Sequence, residues 1–292
     1  MTRARIAQTA NKYMSHDMIT LHTELPEFPE GRISLLYAVL SHQPAAPQQK
    51  ELLAVVTSLV QMALDTHDMV DNNPAPAKTG TLAMRAQQLK VLAGDYFSSR
   101  FYALLSQAGQ LDMVRRLSEA VCDINRTKMS MYAKMNQLKL DAEEYVQLAA
   151  EVKSGLLHAF TGVMGDLHER VWPELIERFS RCEVLLHELR RAQQLSKLEG
   201  SWGIWHILQD GAEEDRRALR ERHEDQGLIK SLLNKYAIAD KLAGMLRQAS
   251  AQLQATVGRL QSDKLARELQ PLFEPFLQAA GPQPAAALKE LG

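Results

Sequence analysis

The sequence predicts an all-α protein, and three observations predict it. Apolar residues recur at helical spacing along nearly the whole chain. Leu, Ala, Gln, Glu, Lys and Arg dominate, and these favour helix. No run of apolar/polar alternation is long enough for a strand. With 292 residues, 46% hydrophobic and 24% charged, the chain has the composition of an ordinary globular protein that can bury a substantial core.

The elements follow in order from the breaks between them. A first amphipathic helix ends at Pro26, Pro29 and Gly31, and a short second one ends before Pro44 and Pro47. Gln48 to Val70 forms the clearest helix. Its Leu52, Leu53, Val56, Leu59, Val60, Ala63, Leu64 and His67 recur at steps of three and four, on one stripe. Asn72 to Gly80, with Pro74 and Pro76, is a loop, and Thr81 is placed to cap the next helix, which runs to Gln107 with Gly109 after it. Helical patterns follow over 111–137, 142–165, 172–198 and 212–275, with breaks around Gly155, Gly165 and Gly200. No fixed-period repeat is present, so the expected architecture is a single multi-helix bundle over 1–278, with 279–292 as a disordered Ala/Pro-rich tail. Glu213, Glu214 and Asp215 followed by Arg216, Arg217, Arg220, Glu221 and Arg222 read as a solvated helix face, with Glu213–Arg217 as an i,i+4 pair.

Several function classes are excluded or disfavoured at once. The formal net charge of -1 offers no nucleic-acid surface. Cys122 and Cys182 are too few and too far apart for a metal knuckle; they fit a reducing compartment and small apolar helix positions. No stretch is apolar over the ~20 residues that a membrane span needs, and no signal core follows Met1, so a cytoplasmic setting is expected.

Chemistry concentrates in two segments. In Leu64-Asp65-Thr66-His67-Asp68-Met69-Val70-Asp71, His67 and Asp71 lie one turn apart, as do Asp68 and Asp71, at the end of the most apolar helix. In Leu89-Lys90-Val91-Leu92-Ala93-Gly94-Asp95-Tyr96-Phe97, Lys90 and Asp95 lie on the following helix, expected to pack antiparallel to the first. Polar side chains on a core-facing stripe must be paired, hydrated or coordinated. The pattern therefore predicts a polar cavity near the ends of these two helices. A helix end simply exposed to water, with His67 at the core edge, explains each residue singly.

Together the two segments resemble the trans-prenyl diphosphate synthase family. The resemblance implies a bundle of the isoprenoid synthase type. In that family, aspartates at i, i+1 and i+4 hold magnesium ions on an allylic diphosphate. Laid on this chain, the first aspartate falls on His67, the second on Asp68 and the third on Asp71. Imidazole is a poor magnesium ligand. The family's Arg-Arg-Gly is absent between Asn72 and Met84, and Lys153-Ser154 is a remnant of a Lys-Thr pair beside the diphosphate. The second aspartate motif, expected within 172–198, is replaced by Glu183 and Glu188 without paired aspartates.

Gln61 to Asp68 with Leu92 to Ser98 is similar to the small subunits (component I) of two-component heptaprenyl diphosphate synthases, firmly over residues 52–105. That resemblance implies a chain with no catalytic residues and no metal of its own. Its partner would be a large subunit carrying magnesium and both aspartate motifs; self-association of this chain when alone is left open. It implies a role in making the C35 chain of menaquinone-7. Prenyl synthases pair through the helices after the first motif, here about 82–108 and 111–137. Gly94, Tyr96, Phe97, Ser98 and Phe101 are the candidate interface residues on the first of these. The second carries Met113, Val114, Leu117, Val121, Ile124, Met129, Met131 and Met135. Three other readings compete. One is an HD-type metal-dependent phosphohydrolase using His67-Asp68 with His22 or His42 and Asp123. Another is a self-sufficient but divergent prenyltransferase, which would need Asp68, Asp71 and further carboxylates for magnesium. The third is a helical interaction scaffold.

Overall fold

The structure is a computed structural model that describes residues 2–43, 49–70, 80–194, 198, 200–222, 225–260 and 262–281. Among these, thirteen α-helices and one short 3-10 turn make up the regular structure, and no strand is present. The chain forms two compact units, Met1–Ala120 and Val121–Gly292.

The first unit contains α1 (Thr2–Met14), α2 (Asp17–His22), α3 (Glu30–Ser41), α4 (Lys50–Asp68) and α5 (Gly80–Gln107), and α6 (Leu111–Asn136) begins in it. The expected first helix is in fact two: the His16 imidazole accepts a bond from the Met18 amide at 3.3 Å and starts α2 afresh. Gly31 lies inside the first turn of α3. Thr81 is inside α5, which starts at Gly80, and so is not its cap. Helix α4 is buried on every side. Thirteen of its nineteen residues are buried, including Thr57, Ser58 and Thr66, whose hydroxyls bond back to carbonyls of the same helix. That is how a helix holds hydroxyl residues in a core without orphaned donors. Helix α5 is different. Its buried residues Ala93, Gly94, Phe97, Phe101 and Leu105 form a stripe repeating every four positions, which packs on α4.

The second unit contains the rest of α6, then α7 (Ala142–His158), α8 (Gly165–Gln194), α9 (Trp202–Asp210), α10 (Glu213–Glu221), α11 (Gln226–Lys235), α12 (Ile238–Val257) and α13 (Asp263–Ala280). Helix α8 is its centre, packed against α7 and α12, with Phe179 meeting Phe273 and Phe276 of α13. Gly155 sits within α7 and is no break: a Cβ there would lie 2.4 Å from the Ile124 side chain, so the glycine admits α6. The expected helix over 212–275 is four helices. Asp225 and Ser262 cap α11 and α13 through their side chains, and Ala237, at φ 49°, separates α11 from α12. Helix α13 takes in Ala279 and Ala280; residues 282–292 lie outside the described residues. On α10 the ion pairs are Glu213–Arg216 and Arg217–Glu221 instead of Glu213–Arg217, and Asp215 turns to Lys235 and Tyr236.

Candidate functional site

The end of α4 and the first half of α5 meet as the sequence predicts, with opposed chain directions: residue 67 meets 94 and 95, and residue 69 meets 90. Two contacts occupy the place where the polar cavity is expected. The His67 ring lies over the Gly94 backbone, with ring atoms 2.5–2.8 Å from where a Cβ would stand. Gly94 is thus buried beneath His67 and offers no surface to a partner. His67 Nε2 is 3.4 Å from Asp95 Oδ1. The Lys90 ammonium donates to the Met69 carbonyl at 3.1 Å. That carbonyl belongs to the last turn of α4, where carbonyls lack helical partners and the helix dipole is negative, so a cation fits.

Behind this corner runs a buried polar chain. Arg32 on α3, 7% exposed, donates to Gln61 Oε1 at 2.8 Å, and Gln61 Nε2 donates to Asp65 Oδ1 at 2.7 Å. The sequence signal for it was a lone arginine ahead of an apolar run. Asp68 is on the last turn of α4, and Asp71 lies outside the described residues.

Among the described residues, this donor set does not fit magnesium. The ion takes about six hard oxygen ligands in near-octahedral array. Here an imidazole occupies the motif's first position and an ammonium sits on the nearest carbonyl. Among the described residues, no group of three or more His, Cys, Asp and Glu side chains is arranged to hold a metal ion. Within the first unit, His22, His42, His67 and Asp68 are all described and form no such group.

The candidate interface residues divide. Phe97 and Phe101 are 0% and 2% exposed and belong to the core of the first unit, because they continue the Ala93 stripe. Tyr96 and Ser98 are half-buried. Tyr96 takes a hydrogen bond from Arg100 at 2.6 Å, carries that guanidinium over its ring, and meets the His16 ring edge. The exposed apolar residues of α5 are instead Met84, Val91, Leu92 and Tyr102.

Helix α6 is the outlier. Of its residues only Met113, Leu117 and Ile124 are buried. Val114, Val121, Met131 and Met135 are half-buried, and Leu111, Met129 and Tyr132 are exposed. Cys122 is also exposed, contrary to the expected apolar position, whereas Cys182 on α8 is buried and its thiol is pushed up to about 12 by desolvation.

In the second unit Lys153 lies on α7 near His187 of α8. Desolvation first, then the charges of Lys153, Arg191 and Arg190, hold that imidazole below its ordinary value against the pull of Glu188. Glu188 is not a metal ligand. It is 2% exposed and accepts from Tyr145 at 2.9 Å, Arg191 at 2.7 Å and the Trp202 amide at 2.8 Å, so it anchors the start of α9. Glu183 is half-buried one turn earlier on α8.

Residues 16–238 match the family described as heptaprenyl diphosphate synthase (HEPPP synthase) subunit 1. The chain is 38% identical over 96 residues to heptaprenyl diphosphate synthase component 1 of Geobacillus stearothermophilus; the aligned stretch spans 33% of this chain and 40% of that protein's length. Its structure is similar to a geranylgeranyl pyrophosphate synthase from Lactobacillus brevis, with TM-score 0.75 at 11% identity over 94% of this chain and 95% of that one. It is also similar to a decaprenyl diphosphate synthase from Rhodobacter capsulatus, with TM-score 0.67 at 14% identity over 94% of each chain. At such identities the likeness establishes the fold, that of the isoprenoid synthases.

Proposed function

Since this chain belongs to the heptaprenyl diphosphate synthase subunit 1 family, we propose that it is the non-catalytic subunit of a heterodimeric prenyl diphosphate synthase. The partner is a large subunit that carries both aspartate motifs, magnesium and the chemistry. Together they extend farnesyl diphosphate with isopentenyl diphosphate to the C35 diphosphate used for menaquinone-7. This chain is needed for turnover and helps set product length. Among the described residues no helix is long and apolar enough to cross a membrane, and a cytoplasmic setting is part of the same proposal.

The observation that carries the reading is the exposed face of α6. Its charges are largely spent within the helix: Asp112 pairs with Arg115 and Arg116, Arg115 also with Glu119, and Asp123 with Arg126. What it leaves to a neighbour is apolar, with Met129 at 73% and Tyr132 at 68% exposure one turn apart. Methionine adapts to irregular surfaces, and tyrosine is enriched at interfaces. The imidazole of His67 at the head of the first motif supports the second half of the reading, that catalysis lies elsewhere.

The test is prenyl transfer from isopentenyl to farnesyl diphosphate with magnesium, by this chain alone and mixed with the large subunit of the same cell. Turnover in the mixture only, with a C35 product, is the expected result. Turnover by the chain alone refutes the non-catalytic assignment, and silence in both refutes the partnership.

A further inference from the structure

The mismatch between the end of α4 and magnesium has a constructive side. Each contact in that corner crosses from one helix to the next. The Lys90 ammonium on α5 reaches the Met69 carbonyl at the end of α4. His67 on α4 faces the Asp95 carboxylate on α5. The His67 ring is seated on the bare backbone of Gly94, a fit that any side chain at that position would break. On the inner side, Asp65 is tied through Gln61 to the Arg32 guanidinium of α3. Two basic side chains thus reach α4 from its neighbours, Lys90 at the Met69 carbonyl and Arg32 at Gln61, while His67 reaches out from α4 to Asp95 of α5.

We infer that Lys90 and His67 form a permanent tie that keeps the α4–α5 corner closed whether or not magnesium and diphosphate are present. The inference rests on the non-catalytic reading, in which this corner takes no metal. The tie fixes α5 against α4, and so fixes the register of its outer residues Leu92 and Tyr102, which are 61% and 44% exposed. The subunit then offers its partner a surface that does not change through a catalytic cycle. Lys90 and His67 are positioning residues.

Two measurements on the isolated full-length chain test this. In the first, manganese replaces magnesium as a paramagnetic probe in amide NMR spectra, with inorganic diphosphate present. The Asp65, Asp68 and Asp95 amides should keep their line widths; selective broadening there overturns the inference. In the second, amide hydrogen exchange over 64–70 is compared with and without magnesium and diphosphate. It should be the same in both, should rise about tenfold in Lys90→Met, and should return in Lys90→Arg. Exchange in Lys90→Met equal to the unaltered chain contradicts the tie. Should Lys90→Met not fold, Gly94→Ala, which displaces the His67 ring, serves instead, with faster exchange over 64–70 expected and unchanged exchange contradicting. Neither measurement involves the large subunit. Manganese binding alongside turnover in the mixture removes the tie and keeps the partnership; a silent mixture with an unbroadened corner does the reverse.

Discussion

Helix α4 buries thirteen of its nineteen residues, whereas α6, with 26 residues, buries three. Both are long and amphipathic in sequence, but only one has found all its neighbours within the chain. Even the hydroxyls of α4 are bonded internally, and its charged end is tied to α5. Helix α6 pairs most of its charges within itself and leaves Met129, Tyr132 and Leu111 facing outward. Burying Met129 and Tyr132 in a partner would add about 2 kcal/mol each. Helix α4 is packed within its own unit, and α6 leaves an apolar strip uncovered.

The contrast can be broken most forcefully at Leu59, which is 0% exposed on α4. Leu59→Ala should cost about 3 kcal/mol of stability in urea unfolding; a loss under about 1 kcal/mol would mean α4 is less well packed than described. Gly94→Ala should destabilise by about 1 kcal/mol, because the new methyl collides with the His67 ring. In a His67→Ala background the same change should be neutral or favourable, since alanine is the better helix former by about 1 kcal/mol. Equal effects in both backgrounds would show that the ring is not seated on Gly94.

Acidification probes another internal contact. Lys241 on α12 bonds His206 Nε2 on α9 at 2.7 Å, and Asp210 lies 3.1 Å from Nδ1. Desolvation first, then the Lys241 charge, holds His206 below the ordinary imidazole value of 6.5, against Asp210. The folded state favours the neutral ring, and the unfolded chain takes up the proton first. This contribution is therefore present above pH ~6.5 and lost as pH falls through it. The melting temperature should drop between pH 7 and 5.5, and Lys241→Gln should lessen the drop; an equal or steeper drop in the variant would contradict the assignment. Smallest of all should be Met129→Ala on α6, within about 0.5 kcal/mol for the isolated chain. A larger loss would mean that α6 is held by its own chain after all.

Much of this was legible in the sequence, for physical reasons that differ by element. Helices α4, α5 and α6 stand out because strong periodicity meets clear breaks. The division of 212–275 did not, because Ala237 adopts a left-handed conformation without the glycine that would announce it. Asp225 and Ser262 are residue types that favour N-caps, yet both lay inside what read as one helical stretch. In the site, the meeting of the end of α4 with α5 followed from the two segments, but the seating of His67 on Gly94 and its approach to Asp95 did not. Both depend on how closely two helices approach, which no spacing reports. The burial of Phe97 and Phe101 had a readable signal, the four-residue repeat from Ala93 to Leu105. Glu188 had none, since Tyr145 and Trp202 come to it from distant segments.

The most direct test of the uncovered strip on α6 is sedimentation of the chain with the large subunit, for the unaltered protein and for Met129→Asp combined with Tyr132→Asp. The account predicts a one-to-one complex with the unaltered chain, and no complex with the variant at the same concentration while its own melting temperature is retained. A variant that assembles as well as the original would contradict it.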